Sequence, residues 1–100
     1  MSSQDSSFSS IAQVRTPIPG PGEWAEVEIP VGAREPWIGL EDPLATMRIS
    51  ATGEENPATE GLPIAPGGTW RVHGTCTLVC SFFVSSSIGP THAMMVFSKN

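Results

Sequence analysis

Apolar and polar residues alternate with a period of two along much of the chain. In WAEVEIPV, Trp24 to Val31, the residues Ala25, Val27, Ile29 and Val31 share one face, and Trp24, Glu26, Glu28 and Pro30 share the other. Side chains of a strand point alternately to its two sides, so this spacing predicts a half-buried strand. VGAREP (31–36) reads as a turn and WIGL (37–40) as a short apolar segment. LATMRISA alternates again, placing Ala45, Met47, Ile49 and Ala51 inward and Thr46, Arg48 and Ser50 outward. TGEENPATEG (52–61) is a polar loop. LPI is an edge-like piece, because Pro63 has no N–H to give to a ladder. APGG is a turn, since proline presets φ and glycine permits the positive φ that follows. TWRV resumes the alternation, with Trp70 and Val72 together and Arg71 opposed. No helix-period run exceeds two turns. Short strands separated by turns predict an all-β fold, a small antiparallel β-sandwich or jelly-roll-like barrel over residues 23–100.

Two later segments break the simple alternation. In CTLVCSFFV the even positions Cys76, Leu78, Cys80, Phe82 and Val84 form an apolar face, yet Val79 and Phe83 lie on the other. In AMMVF, Ala93, Met95 and Phe97 oppose Met94 and Val96. A soluble antiparallel sheet usually wets one face. Strands apolar on both faces therefore need a second cover, either within one subunit or at an interface between subunits. Charge depletion and Met/aromatic enrichment fit an interface. Val79, Phe83, Met94 and Val96 are its candidate residues, with Ile18 from the segment described next.

Residues 1–22 read as a separate extended arm. Six of the first ten residues are serine, and TPIPGPG follows at Thr16 to Gly22. Prolines favour a polyproline-like course, and this composition buries too little apolar surface to order itself. The expectation is an arm laid across a neighbouring subunit.

Composition narrows the function. Glycine and proline number ten each, which suits turns and disfavours helices. The net charge is −5, and all ten acids precede residue 61, while 61–100 hold only Arg71 and Lys99 as charged side chains. Nucleic-acid binding needs a basic patch, and none is visible. No apolar run approaches the ~20 residues of a membrane helix. MSSQDSSFSS has neither the basic nor the apolar region of a signal peptide.

HGTCTLVCSFFVSSS (73–87) concentrates the candidate chemistry. On a regular strand Cys76 and Cys80 would stand ~13 Å apart, too far for a disulfide. Thr, Val and Phe favour strand over the helix that could give them a common metal. The expectation is two reduced, metal-free, largely buried cysteines. His73 and His92 are the candidate acid/base residues near neutral pH. No nucleophile elbow or phosphate-loop lysine accompanies them. The pairs Glu41/Asp42 and Glu54/Glu55 adjoin turn residues and read as solvated loops. Trp24, Trp37 and Trp70 suit packing or, as the alternative, stacking against sugar rings. The sequence thus predicts no enzyme, no catalytic residue, no cofactor and no metal.

Four stretches, VGA (31–33), MRIS (47–50), GLPIAPGGTWRV (61–72) and GTCTL (74–78), together resemble a class of small all-β virion proteins of tailed bacteriophages, over roughly residues 24–99. The resemblance implies a structural role outside the capsid, as a decoration or cement protein. It also implies the major capsid protein or other virion proteins as partners, assembly in the host cytoplasm, a homotrimer, and no cofactor. A carbohydrate- or receptor-binding β-module of a fibre, spike or neck is the alternative. A small cupin-like barrel enzyme is a third reading, and it would need more histidines or well-placed carboxylates.

Overall fold

The computed structural model describes residues 11–78 and 80–99. Eight strands follow in chain order: β1 Ile11–Ile18, β2 Ala25–Ile29, β3 Ala33–Leu40, β4 Met47–Ser50, β5 Leu62–Ile64, β6 Thr69–Arg71, β7 Cys80–Ser86 and β8 Thr91–Lys99. They form two four-stranded antiparallel sheets, ordered β1-β8-β3-β6 and β2-β7-β4-β5. The pairing is nested. β4 pairs with β5, β3 with β6, β2 with β7 and β1 with β8. One long hairpin has in effect been rolled into two layers, which is the jelly-roll form of the β-sandwich.

The alternation places the core between the layers. Val27, Ile29, Met47, Ile49, Phe82 and Val84 of one sheet face Ile18, Ile38, Ala93, Met95 and Phe97 of the other. Trp70 closes one side with its ring edge-on to Phe82, centroids 5.4 Å apart. Such pairs gain a little beyond the area they bury.

The structure corrects several expectations. From Ile11 onward the supposed arm is a strand of this same domain. β1 pairs with β8 from Ile11↔Ser98 to Ile18↔Thr91. Ile18 is fully buried in the core and is no interface residue. Residues 1–10 lie outside the described residues. Pro17 is tolerated because β1 is an edge, where a missing N–H breaks no central ladder.

The turn expected at 31–36 is shorter. Ala33 N donates to Pro30 O at 3.1 Å, and β3 begins at once. A bulge between Arg34 and Trp37 then absorbs Pro36, whose side chain is buried. Glu35 takes φ 49° there. Val31, expected inward, is left exposed by the turn. β4 stops at Ser50, which is buried, while Ala51 is exposed.

Candidate functional site

The two outer faces of the sandwich differ, and the difference resolves which apolar residues have a cover. Across sheet β2-β7-β4-β5 the outward positions include Phe83, Ser85 and Ser50. The loop 52–61 lies over them as a roof. Gly53, at φ 74°, rests on the Phe83 ring so closely that a Cβ would come within 2.9 Å of it. Gly61, at φ 88°, sits where a Cβ would meet Ile49 O at 2.9 Å and the Trp24 ring at 3.1 Å. Phe83 is therefore half-buried beneath the chain's own loop, and its assignment to an intersubunit surface is corrected accordingly.

Glu55 pins this roof. Its carboxylate accepts the hydroxyls of Ser50 and Thr52, and its carbonyl accepts the Trp24 indole N–H at 2.7 Å. Ser50 Oγ in turn accepts the amides of Thr52 and Gly53 at 3.2 and 2.9 Å. Ser85 Oγ donates to Pro57 O at 2.8 Å. The Ser50 hydroxyl first, with smaller help from Glu55's own backbone N–H and from Thr52, holds the Glu55 carboxyl below its ordinary value against some desolvation. Because the folded value is depressed, this contact stabilises the loop fully above the unfolded value. It is lost as pH falls through the folded one. The Gly53 amide and Trp24 indole resonances should therefore shift in acid with a midpoint below the usual glutamate range. Glu55→Gln should abolish the transition. A midpoint at or above the ordinary value would overturn this role.

Sheet β1-β8-β3-β6 has no such roof among the described residues. Gln13, Val96, Trp37 and Arg71 form one row across its four strands, and Arg15, Met94, Gly39 and Thr69 the next. Trp37 is 40% exposed and Ile11 52%, while Met94 and Val96 are half-buried. A shallow groove of about 250 Å³ runs over Trp37 and Val96, bordered by Ile11, Glu35, Arg71 and Ser98. Beside the face, Arg15 clamps Glu41 through two hydrogen bonds of 2.5 and 2.8 Å. That clamp depresses the Glu41 carboxyl and ties edge strand β1 to the start of the β3–β4 connection. Val79, the remaining candidate interface residue, lies outside the described residues.

The catalytic candidates do not converge. His73 is exposed and reaches only Glu35, at 3.9 Å. His92 lies on β8, whereas Ser85 and Ser86 belong to β7 in the other sheet. Both serine hydroxyls donate to backbone carbonyls, of Pro57 and Ile88. A second cleft of about 180 Å³ beside them is bounded by Pro21, Arg48, Pro57 and Ser87. Among the described residues no group of three His, Cys, Asp or Glu side chains is placed to hold a metal.

The cysteines depart from the strand geometry expected of them. The chain bends at Thr77 and Leu78, and β7 starts only at Cys80. Cys76 is buried, but Cys80 is exposed, which corrects the expectation that both are buried. Leu78 is likewise 74% exposed. The bend also undercuts the strand-based separation, because the two thiols are near enough to influence each other electrostatically.

No protein-family model, curated protein or solved structure matches the chain.

Proposed function

We propose that this protein is a non-catalytic structural component of a tailed-phage virion, docking on the outside of the capsid through the face of sheet β1-β8-β3-β6. The unroofed stripe of Ile11, Trp37, Met94 and Val96 carries the reading. Among the described residues, a loop covers the apolar outer residues of one sheet, and no loop covers exposed Ile11 and Trp37 and half-buried Met94 and Val96 of the other. A central apolar patch bordered by Arg15, Arg71 and Glu35 has the layout of a protein interface. Jelly rolls recur in viral capsid proteins, an analogy of fold alone. The same face would support association as a trimer.

The test is co-sedimentation with empty capsids assembled from the major capsid protein of a tailed phage. Wild-type protein should pellet saturably. Val96→Asp should weaken binding by about tenfold or more, as expected for a charge set in a desolvated interface centre, while leaving the fold intact. Wild-type protein that stays in the supernatant would sink the proposal.

The groove over Trp37 favours glycan binding as the second reading. An exposed indole with Arg71, Glu35 and Ser98 at its border matches the apolar face and hydroxyl edge of a sugar ring. Trp37→Ala would then remove glycan binding, and capsids would not compete.

A further inference from the structure

Cys76 and Cys80 both lie against one tight turn. Cys80 sits opposite Ile29, the last residue of β2. Cys76 donates its N–H to Ala33 O at 2.9 Å and accepts from Gly32 N at 2.8 Å. Ile29 precedes and Ala33 closes the Pro30–Ala33 turn, which the Ala33 N to Pro30 O bond holds tight. The two cysteines are thus tethered to the two sides of one turn. Cys76 packs in the core cluster, and Cys80 precedes the inward Phe82 and Val84 by even steps, at the open end of the sandwich. The two thiols are close enough to influence each other electrostatically, and Cys80 Sγ donates to Leu78 O at 3.2 Å.

We propose that Cys76 and Cys80 form an oxidisable thiol pair, with exposed Cys80 as the attacking thiol and buried Cys76 as the resolving one. The oxidant is a small-molecule disulfide such as glutathione disulfide. The Cys80 thiolate attacks one sulfur, forming a mixed disulfide and expelling one glutathione thiolate. Cys76 then gives up its proton and attacks Cys80 Sγ, and the second glutathione leaves. Two cysteine thiols are oxidised, and one glutathione disulfide is reduced to two glutathiones. The division of roles follows from access. Cys76 is buried and so shielded from a bulky oxidant, and burial first, then the neighbouring Cys80, push its thiol up. The bond would fasten the crossover between β6 and β7 where it passes over the β2–β3 turn.

The experiment treats the full-length protein with glutathione disulfide at mildly alkaline pH and follows intact mass. Wild type should lose two hydrogens with no lasting adduct. Cys76→Ser should hold one glutathionyl group on the remaining thiol, the adduct living at least about tenfold longer than any seen in wild type. Cys80→Ser should react more slowly than either. Should Cys76→Ser fail to fold, the wild-type mass together with peptide mapping of a 76–80 link decides the matter. Wild-type protein that keeps the glutathionyl adduct, or that couples two chains through Cys80, overturns the proposal.

Discussion

A chain beginning at residue 19 is expected to show no cooperative unfolding transition at all. The segment removed supplies β1, paired with β8 over eight residues. It also supplies Ile18, fully buried, with Ala12 and Val14 packed against the core. Truncating a buried isoleucine alone costs about 2–5 kcal/mol, set against a whole-domain stability of about 5–15 kcal/mol. Losing the ladder and the Arg15–Glu41 clamp as well exhausts that margin. β8 would also become a long apolar edge, open to pairing with other chains. Thermal melting followed by circular dichroism checks this, with a chain beginning at Ile11 as the matched control. A cooperative melt at the control's midpoint would mean that β1 is dispensable to the domain.

Phe83→Asp is expected to cost about 3 kcal/mol or more, whereas Val96→Asp should cost under about 1 kcal/mol. Both residues lie on outward faces, so composition alone ranks them together. Their covers separate them. The Phe83 ring is capped by Gly53 and lies in register with Ser50, whose hydroxyl donates to Glu55. A carboxylate there loses the ring's packing and faces Glu55 across Ser50, in a site partly closed to water. Val96 faces a groove open to solvent. Urea midpoints compared at equal slope measure the difference. Equal midpoints would show that the 52–61 loop contributes nothing to holding the ring.

The fold was readable because β2 and β4 each carry an unbroken alternation, and the turn chemistry between strands is explicit. The same signal was present in IAQVRTPI, where Ala12, Val14, Thr16 and Ile18 line one face. Flanking serines and prolines masked it, since composition is blind to an edge strand's tolerance of proline. The roof was hidden for a different reason. Residues 52–61 are polar, and what fixes them is a set of short-range bonds from Ser50, Thr52 and Trp24 to one glutamate, which leaves no periodic trace. The exposure of Cys80 and its nearness to Cys76 were missed because two residues of bend, Thr77 and Leu78, interrupt the strand that the sequence suggests.

The nested pairing also dictates an order of assembly. β4 and β5 are close in the chain and can meet early, and each later pair then closes around a loop already shortened by the pair within it. β1 leaves the ribosome before any other described strand, yet its partner β8 is the last of the eight to be made. Throughout synthesis Ile18 has no sheet to enter, and the domain seals only after the message for β8 has been read. A chain halted between Ser86 and Thr91 therefore carries the three inner strand pairs with its first strand unpaired.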